Sequence, residues 1–350
     1  MGANNQTRRH AAYAFATVAV LLVSACSSSG GTTSGGASTG GGSGSPTKVA
    51  AVIKGLDNPF FQAMQQGIEG QAKTVGVQVT VQAANSITDT TGQADKLTGL
   101  AGQDYSCYIV NPISGTNLIQ GLAQLAAKQR TVVNIDSPVE KAAAEAANVR
   151  PATYIGTDNV QAGQTAAKQM VTLLPGGGDV AAIGGISGDA TSAARIDGFT
   201  KGIGSSLKLV QTVAANWDRQ EALTQATNVL RAKPDLAGFF VANDDMGLGV
   251  ARAIADAGKA GKVKVISVDG IPDALKAVKA GQIDATVAQY PYAIGSMGVQ
   301  ACQAAAAGKK LPANVTAPVA LVTAANADQA IAATPKPFQT YDNPFEALLK

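Results

Sequence analysis

From Lys48 onward the chain alternates short apolar runs with longer amphipathic stretches, and that alternation leaves little choice of fold. Val49–Ile53, Val77–Val81, Cys107–Val110 and Thr131–Ile135 are rich in Val, Ile and other apolar residues, as buried parallel strands must be. Phe60–Val75 and Leu118–Lys128 lie between them with helical periodicity. A second series begins near Tyr154. Its strands are Asp179–Ile183, Leu209–Ala214, Ala237–Val241, Lys264–Val268 and Asp284–Ala288. Its helices include Asn159–Leu174, Ser192–Ile203, Arg219–Arg231 and Met246–Ala257. Repeated β–α units imply a parallel sheet with helices on both faces, and two successive series imply two lobes. The expected fold class is therefore α/β, as two doubly wound parallel-sheet lobes.

Histidine usage removes most catalytic classes. The sole histidine of the 350 residues is His10, inside a segment expected to be removed. Without it, Ser-His-Asp and Cys-His chemistry and most zinc sites are excluded, and neither a metal nor a cofactor is expected. Arg8 and Arg9 leave with the same segment, so the balance becomes 25 basic minus 24 acidic residues, or +1. A near-neutral chain with no basic cluster is not expected to bind nucleic acid.

The N-terminus reads as an address. Arg8 and Arg9 precede an apolar stretch, Ala11 to Val23, that is too short for a stable membrane span. It ends in Leu22-Val23-Ser24-Ala25-Cys26, which resembles the bacterial lipobox. Residues 1–25 are thus expected to be a signal peptide and Cys26 the lipidated N-terminus. Residues 26–47 are mostly Ser, Gly, Thr and Ala, a flexible tether reaching about 25 Å. This implies an extracytoplasmic protein that meets the cell membrane only through its lipid. The other cysteines, Cys107 and Cys302, sit in apolar segments and read first as buried small hydrophobes. An oxidising compartment also permits a disulfide between them.

In open α/β sheets ligands bind beyond the carboxyl ends of the strands. The polar residues there are Lys54, Asn58, Asn111, Asp136, Asn243, Asp244, Asp269 and Gln289. They offer carboxylate, amide and ammonium groups on one rim. Asn and Asp also cap helices at such loops, so each alone reads equally as a cap. Aromatics are sparse, yet Phe60 and Phe61 follow Asn58-Pro59, and the sole Trp, Trp217, precedes Asp218-Arg219. Aromatic faces suit the C–H faces of a sugar ring, while Asp, Asn and Arg suit its hydroxyls.

These residues also carry a family likeness. Lys54-Gly55-Leu56-Asp57-Asn58-Pro59-Phe60-Phe61, Asn134-Ile135-Asp136, Arg195 before Gly198-Phe199, Asn216-Trp217-Asp218-Arg219, Asn243-Asp244-Asp245-Met246, Val268-Asp269-Gly270 and Ala288-Gln289 stand in order. On them, the stretch from about Lys48 to Val322 resembles the bacterial periplasmic sugar-binding proteins of the ribose-binding type, the type I solute-binding proteins of ABC importers. The resemblance implies hydroxyl-binding roles for Asn58, Asp136, Arg195, Asn243, Asp269 and Gln289. It implies stacking roles for Phe60, Phe61 and Trp217, and a contact from Lys54. It further implies a three-strand hinge, a first lobe of 48–157 plus 290–320, and a second lobe of 158–289 plus 321–350 with the C-terminal tail. Ser137 and Val268 stand where ribose binders carry an Arg and an aromatic, so the ligand is expected to be another monosaccharide or a sugar alcohol.

The expected partners are that sugar or polyol and the membrane subunits of an ABC permease, with the protein acting as a monomer and not as an enzyme. A sensor presenting its ligand to a membrane receptor is the alternative. A sugar-responsive repressor would need an N-terminal helix-turn-helix, where a signal and tether stand instead.

Overall fold

The computed structural model describes residues 47–350. The expected signal peptide, Cys26 and nearly all of the tether lie outside the described residues. The chain first lays down β1 (Lys48–Ile53), α1 (Pro59–Val75), β2 (Gln78–Ala83), α2 (Thr90–Ala101), β3 (Cys107–Val110), α3 (Ile119–Ala127), β4 (Thr131–Ile135), α4 (Lys141–Ala146) and β5 (Thr153–Thr157). It then builds α5 (Asn159–Leu173), β6 (Asp179–Gly184), α6 (Ala190–Ile203), β7 (Lys208–Ala214), α7 (Arg219–Ala232), β8 (Gly238–Val241), α8 (Asp244–Asp256), β9 (Lys264–Asp269), α9 (Pro272–Lys279) and β10 (Ala285–Gln289). It ends with α10 (Pro291–Ala306), β11 (Asn314–Ala317), β12 (Val319–Thr323), α11 (Ala327–Ala333) and α12 (Pro344–Leu348).

Two six-stranded sheets result, ordered β11-β5-β4-β3-β1-β2 and β12-β10-β9-β8-β6-β7. Every pairing is parallel except that of β12 with β10. The expected two-lobed α/β fold is present. The strand near Tyr154, β5, belongs to the first sheet, between β4 and β11, and the second series starts one helix later.

The inner strands bury both faces, while the edge strands β2, β7, β11 and β12 stay partly exposed, and the two-residue repeat assigns the faces. In β1, Val49, Ala51 and Ile53 join the core containing Met64 and Ile68 of α1 and Cys302 of α10, while Ala50 and Val52 join Leu97, Leu100 and Leu122 of α2 and α3. In β8, Phe239 faces the layer of Val229 and Met246, while Phe240 stacks on Phe199 of α6 at 4.4 Å and 6°.

The chain crosses between sheets three times, after β5, after β10 and between β11 and β12. Cys107 and Cys302 form a disulfide across a separation of 195 residues, tying returning α10 to β3. They are buried as their apolar setting required, but bonded rather than free. The tail, expected over the hinge or the second lobe, spreads further: Phe338 meets Tyr290 at the crossing after β10, with ring centroids 6.2 Å apart. Its α11 packs on α9 of the second lobe, whereas α12 packs on α10 of the first lobe. Phe345 is fully buried, and Asn343 donates to Gln300 Oε1 at 2.8 Å. Phe345 has a whole aromatic ring to bury, and the apolar surface left open for it is on α10.

Candidate functional site

A cavity lies between the lobes. It is lined by Lys54, Asn58, Phe60, Phe61, Asp136, Arg195, Trp217, Asn243, Asp269 and Gln289, the ten residues singled out in the sequence. Ile87, Ile113, Ser137, Ile186 and Thr191 complete the wall. Topology explains the gathering. Lys54, Asp136, Asp269 and Gln289 sit at or just beyond the carboxyl ends of β1, β4, β9 and β10, and Asn58 and Asn243 open the helices after β1 and β8. Ile87, Ile113 and Ile186 are in the loops after β2, β3 and β6; no polar signal marked them, but their place after a strand did.

Asn58 and Asn243 are caps and cavity residues at once. Asn58 Oδ1 accepts from the Phe60 N–H at 2.9 Å, and Asn243 Oδ1 from the Met246 N–H at 2.9 Å. Each amide nitrogen takes no partner among the described residues and remains available to a ligand. Asn111, by contrast, is fully buried away from the cavity, with Nδ2 3.4 Å from Met64 Sδ.

In the second lobe Arg195 is the hub. Its Nε donates to Asn159 Oδ1 at 2.8 Å, and its Nη1 donates to the Ala242 carbonyl at 2.6 Å and to Asp269 Oδ1 at 3.3 Å. Close crossing of α5 and α6 makes the Asn159 bond possible. A Cβ at Gly163 would lie 2.1 Å from the Arg195 carbonyl oxygen, and one at Gly198 would lie 2.1 Å from that of Val160. Gln289 Nε2 donates to the same Asp269 oxygen at 2.6 Å. The Arg195 guanidinium lies 5.9 Å from the Trp217 ring centroid. That ring sits over Gly185, where any Cβ would overlap it.

In the first lobe Lys54 Nζ donates to Ser137 Oγ at 2.8 Å and lies 5.5 Å from the Phe61 ring centroid. Ser137 Oγ donates in turn to Asp136 Oδ2 at 3.3 Å, and the Tyr154 hydroxyl donates to the Asp136 carbonyl at 2.6 Å.

Three cavity residues, Asp136, Trp217 and Asp269, have φ of 60°, 63° and 136°. Such conformations cost energy for non-glycine residues and persist where surrounding contacts over-determine them.

Burial pushes the Asp269 carboxyl up from 3.8 to about 8, with Asp244 and Asp136 adding to the rise and Arg195 and Gln289 opposing it. The wall carries two cations, Lys54 and Arg195, and two carboxyl groups, Asp136 and Asp269, so its formal charge balances when both carboxyls are ionised, the form that donors from a ligand favour. Among the described residues there is no His/Cys/Asp/Glu group suited to a metal, and no helix is long and apolar enough to cross a membrane.

Known proteins resemble this chain in sequence and fold. Residues 49–310 match the family of the periplasmic binding protein domain. The D-allose-binding periplasmic protein of Escherichia coli is 40% identical over 267 residues, covering 75% of this chain and 86% of that one. The ribose import binding protein RbsB of Bacillus subtilis is 32% identical over 271 residues, covering 77% and 85%. Among solved structures, an ABC transporter periplasmic solute binding protein from Actinobacillus succinogenes with bound D-allose superposes with a TM-score of 0.76 at 28% identity, covering 81% of this chain and 99% of that one. These relatives are binding proteins of transporters, not enzymes. The chain belongs to the periplasmic binding protein family.

Proposed function

We propose that the protein binds one neutral monosaccharide or sugar alcohol between its lobes and presents it to the membrane subunits of an ABC importer. As a family member it is an extracytoplasmic sugar-binding protein of the ABC transporter class. The observation that carries the finer reading is the wall itself. With both carboxyls ionised, two cations and two carboxylates cancel, and the amides of Asn58, Asn243 and Gln289 add donors and acceptors. Phe60 and Phe61 approach from one lobe and Trp217 from the other. Such a wall meets hydroxyl edges with hydrogen bonds and ring faces with aromatics. An ionic ligand would leave one wall charge unmatched in a desolvated site.

The relatives' names place D-allose and ribose among the sugars to try. Ser137 beside Asp136 leaves room where ribose binders carry an Arg, which favours a ligand other than ribose. Ligand uptake draws the lobes together about the three crossings and presents a closed surface to the permease. The lipobox at Cys26 and the tether after it support a monomer held at the membrane by its lipid alone. A ligand that binds only the folded state raises Tm, by about 2.7 kcal/mol of added stability at a hundred times Kd. A thermal-shift series with D-allose, D-ribose, xylitol and D-glucuronate tests the reading. A neutral compound should raise Tm and glucuronate should not. No shift with any neutral sugar or polyol at millimolar concentration would sink it.

A further inference from the structure

Asp244, the first residue of α8, adjoins cavity-lining Asn243 but is fully buried and does not reach the cavity. Its carboxylate pairs with no cation among the described residues. It accepts four hydrogen bonds instead. Oδ1 accepts from Ser267 Oγ of β9 at 2.5 Å and from Thr286 Oγ1 of β10 at 2.7 Å. Oδ2 accepts from the Gly270 N–H at 2.6 Å and the Ile271 N–H at 2.9 Å. Burying a carboxylate without a countercharge is costly, so its donors must be of particular value where it stands.

The two N–H groups belong to the turn that leaves Asp269. Asp269 and Gly270 have successive positive φ, 136° and 77°. The first is a conformation that Asp holds only when clamped. The turn also lies hard against β10, since a Cβ at Gly270 would come 2.6 Å from the Ala288 Cβ. One oxygen of Asp244 therefore grips the turn while the other grips the two strands beneath it. The orientation of the Asp269 carboxylate toward Arg195 and Gln289 follows from that grip.

We propose that Asp244 is a positioning residue for ligand binding, clamping the 269–271 turn to β9 and β10 so that Asp269 meets Arg195, Gln289 and the ligand together. The inference rests on the reading of the cleft as the ligand site. A purely structural carboxylate would change stability and leave the affinity of the folded protein alone; a positioning residue changes affinity.

The test uses the mature chain and whichever neutral sugar gives the largest thermal shift, followed through Trp217 fluorescence at a temperature where circular dichroism shows each variant folded. Asp244→Ala should weaken binding about 30-fold, because two backbone donors lose their acceptor. Asp244→Asn keeps a carbonyl oxygen for those donors, and the two hydroxyls can rotate to accept from its amide, so binding should stay within about 5-fold. A folded Asp244→Ala protein that binds within about 2-fold of the parent would overturn the proposal. Should that variant not fold, Ser267→Ala combined with Thr286→Val removes the strand anchors and keeps the carboxylate. It should weaken binding about 5-fold, and unchanged affinity would overturn the proposal equally. The Gln289 Nε2–H resonance, from the group that donates to Asp269 Oδ1, gives a readout in the ligand-free protein that needs no sugar. It should move in the double variant, and an unmoved resonance contradicts the clamp. If the parent binds no neutral sugar, the functional reading fails while this resonance still decides how Asp269 is placed.

Discussion

The two walls of the cleft are built differently. In the second lobe Arg195, Asp269 and Gln289 form a joined network of bonds between 2.6 and 3.3 Å, backed by Asn159, the Ala242 carbonyl and buried Asp244. In the first lobe Lys54, Ser137 and Asp136 form a short chain whose last link is 3.3 Å, with no buried carboxylate behind it. The first lobe is instead stapled covalently, by the disulfide between Cys107 and Cys302. Preorganised groups lose less freedom when a ligand arrives. On the proposed function, the second lobe is therefore the wall expected to recognise the ligand in the open state, with the first lobe completing the shell on closure.

That comparison orders the expected effects. The largest follow from breaking the second-lobe pair. Arg195 and Asp269 side chains are only 5% and 7% exposed, so removing Asp269 leaves Arg195 charged and unmatched, and removing Arg195 takes away the cation that favours the ionised Asp269. Arg195→Ala or Asp269→Ala should cost about 3 kcal/mol or more of binding, over a hundredfold in Kd by calorimetry. It should lower the unliganded Tm as well. Comparable losses from Lys54→Ala would erase the distinction between the walls.

The staple comes next, and it acts on stability rather than on affinity. Closing a long loop by a disulfide stabilises by about 2–4 kcal/mol. Cys107→Ala with Cys302→Ala should lower Tm by several degrees, with faster hydrogen exchange in β3 and α10. The exchange of β8 and β9 should be unchanged. Accelerated exchange across both lobes would show that the lobes unfold as one unit.

First-lobe substitutions should be milder. Asp136→Ala and Lys54→Ala should each weaken binding about 10-fold, as lost charge-assisted hydrogen bonds of about 1.5 kcal/mol in a partly solvated wall. Ser137→Ala, which leaves both charges in place, should cost only about 2- to 3-fold.

The smallest effect is a proton. With the Asp269 carboxyl raised from 3.8 to about 8, the folded protein holds one more proton than the unfolded chain between those values. Its contribution to stability is fully present below the lower value, declines as pH rises, and is lost above about 8. Sugar hydroxyls donate to the ionised form, so ligand binding should release part of a proton near pH 7 and tighten as pH rises toward 8. Titrations in two buffers of different ionisation enthalpy would read that release, and Asp269→Asn should abolish it.

Much of this architecture was legible in the sequence because parallel strands buried on both faces leave long apolar runs, and the loops after them line the cavity. Asn58 and Asn243 were ambiguous between cap and ligand residue because each caps its helix through Oδ1 while its Nδ2 takes no partner among the described residues. Asp244 stood among the rim residues, but that it turns inward to Ser267 and Thr286 depends on strands that meet only in the folded sheet. The cysteine pairing was open for the same reason, since β3 and α10 are 195 residues apart in sequence. The tail defied placement because α12 is five residues long, and what fixes it is a surface of α10 already used on its other face.

The central claim is that one neutral sugar or polyol is held in the cleft by the Arg195–Asp269 wall. Fluorescence titration of Trp217, the only tryptophan in the chain and part of the cavity wall, tests it most directly. The account predicts a saturable change at one ligand per protein for a neutral sugar, absent in Asp269→Ala over the same concentrations. A titration that is flat for every neutral sugar and polyol, or one that Asp269→Ala leaves unaltered, would contradict it.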